Sequence, residues 1–247
     1  DSAMSTNSDL MTIDLKSDKR VNLTKSNPAY DGSPIYSPDG RFIAYRFQTR
    51  ANCESDRFRL GLYDNKNGSR RVLSESIDNW VEDLKWSKDS KFIYFKVQEK
   101  GKTPIYQADI RNGKVRKVLT HAYIRDFHIS ADNRSIIYLR SAIGEPYELW
   151  KYRLKGKNQP KRLTYMNKKV EDTVDIRPGE EIWIKGADDK MIHCWIVKPH
   201  GFDPTRKYPL ILNVHGGPQS QWADSFRGDW QVYPGSGYVL AFPNPHG

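Results

Sequence analysis

Cysteine is scarce: only Cys53 and Cys194 occur in 247 residues. They lie far apart, follow no C-x-x-C spacing and have no His or Cys neighbour at metal-ligand spacing. That excludes a disulfide framework and a cysteine-based zinc site, and it predicts two free thiols. No metal and no cofactor is expected. Long hydrophobic runs are missing as well; no stretch approaches the ~20 apolar residues that a membrane-crossing helix needs, so no membrane partner is expected. Acidic side chains are outnumbered, with 30 Asp and Glu against 40 Lys and Arg, a formal net charge of +10. The surplus raises a nucleic-acid reading, yet its densest stretches (residues 114–117, 155–162 and 167–169) fall in apparent turns and strand edges, where lysine also blocks edge-to-edge pairing. No recognition helix, RNA-binding aromatic pattern or zinc-finger spacing accompanies the charge, so no nucleic-acid partner is expected.

What the chain has in quantity is aromatic residues, 7 Trp and 14 Tyr among them, on a strongly charged background. That combination suits many short strands better than a disordered chain. An internal repeat organises them. Ser37-Pro38-Asp39-Gly40, Ser87-Lys88-Asp89-Ser90 and Ser130-Ala131-Asp132-Asn133 each precede a β-branched and aromatic run, and their serines stand 50 and 43 residues apart. In such a turn the Asp side chain caps backbone amides, and the Gly or Asn accepts a positive φ. A second marker keeps the same period: Leu23-Thr24, Leu73-Ser74, Leu119-Thr120 and Leu163-Thr164. About four strands per ~45 residues is the pattern of a propeller blade. The fold class is therefore read as mainly β: a partial β-propeller of TolB/WD40-like repeats over residues 1–176, with about four repeats. A β-sandwich with accidental spacing is the alternative.

The period breaks at Arg177-Pro178-Gly179. A long hairpin follows, then a loop with three prolines from Pro199 to Pro209, then the apolar run Leu210 to Val214, read as a buried strand. His215-Gly216-Gly217-Pro218 comes directly after it, the stretch from Ser220 to Val232 is compatible with a helix, and a second apolar run spans Tyr238 to Phe242. Strand, His-Gly-Gly-x loop and further strand is the context in which α/β-hydrolases build half of an oxyanion hole. Residues 177–247 are accordingly expected to be the N-terminal portion of an α/β-hydrolase domain. No G-x-S-x-G occurs anywhere. Ser236, in Pro234-Gly235-Ser236-Gly237, precedes a strand instead of following one and reads as a turn residue.

The Ser-Pro-Asp-Gly repeats together with Lys207-Tyr208-Pro209 and the run into His215-Gly216-Gly217-Pro218 resemble the prolyl oligopeptidase family of serine peptidases, in particular its acylaminoacyl-peptidase and dipeptidyl-peptidase branches. The runs Met4 to Leu10 and Glu54 to Leu60 resemble the latter. The resemblance implies a propeller that restricts entry to a hydrolase domain with a Ser-Asp-His triad in that chain order, and hydrolysis through an acyl-enzyme. By this resemblance the backbone N–H of Gly217 faces the oxyanion, Gly216 lets the backbone approach the substrate, Pro218 fixes the turn, and His215 is a packed residue of the loop without a catalytic role. All three triad residues are expected to be absent from this chain, which would be a segment inactive alone and prone to association.

The same resemblance requires carboxylates that hold a substrate's α-ammonium group. Glu54 and Asp56, in the longest connection of the visible repeats, are the candidates; an ordinary acidic loop paired with Arg57 and Arg59 is the alternative. Expected partners are peptide substrates and the remainder of the same polypeptide, with a homodimer left open, and the resemblance implies a periplasmic or secreted location. A non-catalytic propeller that acts through protein contacts is the competing function; the His-Gly-Gly-Pro loop argues against it.

Overall fold

The computed structural model describes residues 5–156, 159–217 and 220–245, and the chain is mainly β. Two strands, β1 (Met11–Ile13) and β2 (Arg20–Asn22), form a small antiparallel pair. Three four-stranded antiparallel sheets follow, each laid down in chain order. The first holds β3 (Asp31–Tyr36), β4 (Phe42–Phe47), β5 (Arg59–Asp64) and β6 (Arg70–Val72). The second holds β7 (Val81–Trp86), β8 (Phe92–Val97), β9 (Ile105–Asp109) and β10 (Val115–Leu119). The third holds β11 (Tyr123–Ile129), β12 (Ser135–Ala142), β13 (Glu145–Arg153) and β14 (Lys161–Arg162).

The repeated motifs have repeated causes. At the first turn of each sheet the serine hydroxyl caps the chain: Phe42 N–H donates to Ser37 Oγ and Phe92 N–H to Ser87 Oγ, both at 2.9 Å, and Ser135 N–H donates to Ser130 Oγ at 2.9 Å. Gly40, Ser90 and Asn133 take the positive φ, at 72°, 57° and 55°. The Leu-Thr/Ser markers close the outermost strand pairs. Leu10, Leu60 and Leu149 each donate a backbone N–H to the hydroxyl of Thr24, Ser74 and Thr164, while each carbonyl accepts from Leu23, Leu73 and Leu163. A bulge interrupts the first strand pair of each of these three four-stranded sheets, between Gly32 and Ile35, Glu82 and Lys85, and Ile124 and Asp126.

A fourth sheet has the order β15 (Gly179–Lys185), β16 (Met191–Val197), β18 (Val239–Asn244), β17 (Leu210–Leu212). The first three strands are antiparallel, and β17 runs parallel to β18. The helices are short: α1 spans Lys168–Thr173 and α2 spans Asp229–Gly235. Two expectations are corrected here. The helix does not start near Ser220; residues 220–228 are irregular, because Trp222 is held by side-chain bonds described below, and the helix forms only from Asp229. The run 210–214 is not a buried strand either. Leu210 and Leu212 are each 61% exposed because β17 is the sheet edge and only the Ile211 side packs on the core.

The chain folds as two compact units. One comprises Asp1–Val97, Ile105–Val118 and Ala131–Asn133; the other comprises Gln98–Pro104, Leu119–Ser130 and Arg134–Gly247. In the first, the facing surfaces of the first two sheets share a core of Phe42, Leu60, Leu62, Trp86, Ile93 and Phe95. In the second, Ile143 joins Trp195, Val197, Trp230, Leu240 and Phe242, with Trp230 stacked on Phe242 at 4.0 Å between ring centroids. Cys53 and Cys194 are free thiols. No helix among the described residues is long and apolar enough to cross a membrane.

Candidate functional site

The loop after β17 is built from the parallel β17–β18 pair. Leu210, Ile211 and Leu212 register with Val239, Leu240 and Ala241, and Asn213 N–H continues the ladder to Ala241 O at 2.8 Å. Beyond Asn213 the ladder stops and the chain turns through His215, Gly216 and Gly217. Gly217 sits at φ 72°, which glycine adopts without the steric penalty of a Cβ. Gly216 is exposed, and a Cβ built there would meet nothing within 4 Å. Both backbones are thus open to an incoming group, and among the described residues no acceptor pairs with the Gly217 N–H. Pro218 lies outside the described residues. Such an open N–H, held on the end of a strand, can stabilise a developing oxyanion.

His215 is half-buried and packed. Its ring meets Trp222 edge to face at 5.9 Å, its Nδ1 lies 3.3 Å from Gly216 O, and its buried Nε2 has no partner among the described residues. Ser236 caps the end of α2 and donates its hydroxyl to Val232 O at 3.0 Å, as a turn residue does.

Trp222 packs against this loop and is linked in turn to Asn244 and His193, and sequence reasoning missed all three. The indole N–H of Trp222 donates to Asn213 O at 3.0 Å. The Asn244 amide accepts Trp222 N–H at 2.5 Å and donates to Trp222 O at 3.0 Å and to His193 Nδ1 at 2.9 Å. His193 is buried beside Trp183 and Trp195, with Nε2 3.5 Å from Glu181. Burial, which disfavours the cation, moves its pKa below the usual histidine range; Lys102 and Lys100 push the same way and Glu181 opposes. The only signal in the sequence was Asn244 between two prolines at the end of an apolar run; its pairing with His193 depends on the β16–β18 register.

Glu54 and Asp56 lie in the other compact unit, in one connection between β4 and β5. They occupy different environments. Asp56 is buried, and its carboxylate accepts the N–H groups of Thr49 and Arg50 at 2.7 and 3.0 Å, the Thr49 hydroxyl at 3.1 Å and Arg59 at 3.2 Å. Burial alone would raise its pKa, but these bonds outweigh it and bring the group down to about 2. Gln48 pins the same loop from inside, donating to Glu54 O and Asp56 O. The carboxylate of Asp56 is thus consumed in bracing its own loop, as the acidic-loop alternative anticipated for Arg59. Arg57 pairs instead with Glu75 at 2.9 Å. Glu54 is exposed, and its carboxylate has no partner among the described residues. No group of three or more His, Cys, Asp or Glu among the described residues is placed to hold a metal ion.

The relatives follow from the whole chain. Dipeptidyl-peptidase 5 of Porphyromonas gingivalis is 33% identical over 250 residues, which cover 99% of this chain and 36% of the relative. Dipeptidyl-peptidase 5 of Trichophyton schoenleinii is 34% identical over 227 residues, 87% of this chain and 30% of the relative. The chain is a homologue of the dipeptidyl-peptidase 5 proteins. It spans about a third of their length. The fold is shared with acylaminoacyl peptidase of Pyrococcus horikoshii (TM-score 0.77, 24% identity, 93% of this chain and 34% of that one). It is also shared with dipeptidyl peptidase 4 of Porphyromonas gingivalis (TM-score 0.72, 22% identity, 96% of this chain and 34% of that one). No protein-family model matches the chain. The match to the Porphyromonas gingivalis relative covers 99% of this chain and so runs through both compact units.

Proposed function

We propose that this chain is a segment of a serine exopeptidase that hydrolyses short peptides through an acyl-enzyme. In this reading residues 1–176 form propeller blades that gate access, and residues 177–247 open an α/β-hydrolase domain. The N–H of Gly217 receives the oxyanion and Gly216 leaves room for the scissile carbonyl. One observation carries the reading: a Gly-Gly turn whose Gly217 N–H has no acceptor among the described residues follows a strand parallel to β18, in a homologue of dipeptidyl peptidases. A donor of this kind contributes about 2.7–4 kcal/mol to the transition state. The residues that attack and transfer protons are not in this sequence, which has no G-x-S-x-G.

Glu54 is the group that would hold a substrate's α-ammonium; Asp56 serves by fixing the loop that carries it. The test is made in the intact protein that contains this segment. Glu54→Gln is expected to raise KM for free-amine dipeptidyl p-nitroanilides about ten-fold, the factor that 1.4 kcal/mol represents, and to spare N-blocked substrates. Equal effects on both substrate types would remove Glu54 from the role.

A further inference from the structure

We infer that Asn244, backed by His193, is a positioning residue for the candidate oxyanion loop, acting through Trp222. The inference rests on the reading of Gly217 as an oxyanion donor. Asn244 matches both polar groups of one backbone residue, accepting Trp222 N–H and donating to Trp222 O. Exchanging its oxygen and nitrogen would set donor against donor and acceptor against acceptor, so the Trp222 backbone determines the amide orientation. The second hydrogen of Nδ2 then points at His193 Nδ1, which must accept it. The proton of neutral His193 is therefore on Nε2, the nitrogen facing Glu181. Register supports the arrangement, since His193 and Asn244 are direct partners across β16 and β18.

The clamp continues outward from Trp222. Its indole is wedged against Trp230 at 5.2 Å and Phe242 at 6.4 Å, with the N–H aimed at Asn213 O and the His215 ring in a T-shaped contact. Asn213 is thereby held twice, through its N–H by Ala241 and through its carbonyl by Trp222. It is the last residue so fixed before the glycines. A donor that must meet an oxyanion within a few tenths of an ångström needs such support, because a loose loop would reorganise during the reaction. The chain His193–Asn244–Trp222–Asn213/His215 supplies it from side chains where the strand ladder has ended.

The experiment pairs residue-resolved amide hydrogen exchange with steady-state kinetics on a dipeptidyl p-nitroanilide, using the intact protein and its Asn244→Ala and Trp222→Phe variants. Active sites are counted with a fluorophosphonate. Asn244→Ala is expected to speed exchange of the hydrogen-bonded amides of Trp222 and Asn213 by about ten-fold or more, to leave β16 and the buried part of β18 protected, and to lower kcat per active site about ten-fold with KM moving less than about three-fold. Trp222→Phe, which keeps an aromatic ring and loses the bond to Asn213 O, is expected to speed exchange of the Asn213 amide while the backbone N–H at position 222 stays protected. Unchanged exchange over 213–222 in both variants would overturn the clamp, and so would loosened exchange with an unchanged kcat. A wild-type protein with no turnover would remove the proposed peptidase function instead, and the exchange result would still decide whether the clamp holds the loop.

Discussion

Asp31 and Asp56 are both buried carboxylates, yet their surroundings drive them in opposite directions. Around Asp56 the hydrogen bonds outweigh desolvation; around Asp31 desolvation wins over the bonds from Asn27 and Thr24, Asp9 adds repulsion, and Arg70 compensates only in part, so the group is pushed up to about 6. The folded chain therefore favours protonated Asp31. Between an ordinary value near 3.8 and about 6, the folded state keeps a proton that the unfolded state has released, so stability falls as pH rises through that window and stays lower above it. Asp31→Asn is expected to raise the melting temperature by a few degrees at pH 7 and to change it little at pH 4. Thermal unfolding at the two pH values checks this; a larger gain at pH 4 than at pH 7 would reverse the assignment. At the same scale, Cys194 illustrates an inert thiol, buried in β16 and pushed up by burial.

At the scale of the element, the Leu-Thr/Ser marker was visible as a period but its physical task was not. The hydroxyl of Thr24, Ser74 or Thr164 accepts the N–H of the partner strand's leucine where the ladder ends, and thereby satisfies a donor that would otherwise be stranded; for Leu60 the site is fully buried. Ser74→Ala is expected to destabilise the first sheet by about 1–2 kcal/mol. Ser74→Thr is expected to be near neutral, because threonine fills the same position in the three other repeats. Urea denaturation of the two variants compares them, and equal losses would show that the hydroxyl is not the active feature. The turns at Ser37, Ser87 and Ser130 were legible, with the positive φ expected at Gly40 and Asn133, since those geometries are local; the positive φ at Ser90 and the capping by the serine hydroxyls were not read from the sequence. The helix was misplaced, with α2 beginning at Asp229, because the polar and aromatic stretch before it is captured by long-range bonds to Asn244 and Asn213.

For the whole molecule, the proposed function predicts that the 247-residue chain purified alone hydrolyses no dipeptidyl p-nitroanilide and takes up no fluorophosphonate, while the intact protein does both; labelling of the isolated chain would show a nucleophile that the sequence motif did not reveal. The tertiary packing also divides the chain differently from the sequence period. The repeat breaks at Arg177, and β15 begins at Gly179, yet the tip at residues 98–104 and the hairpin around Ile143 pack with the last sheet. Gly101 shows why: a Cβ there would lie 2.6 Å from Trp195 Nε1, and its N–H and carbonyl bond to Gln221 and Asp224. The sequence by itself determined the strands, the capped turns, the Gly216–Gly217 loop and the family resemblance, because each depends on residues near one another in the chain. Only the tertiary structure decided that Asp56 is spent inside its loop while Glu54 is exposed, its carboxylate without a partner among the described residues. It also brought His193, Asn244, Trp222 and Asn213 into one network, since strand register and buried hydrogen bonding join residues up to 51 positions apart.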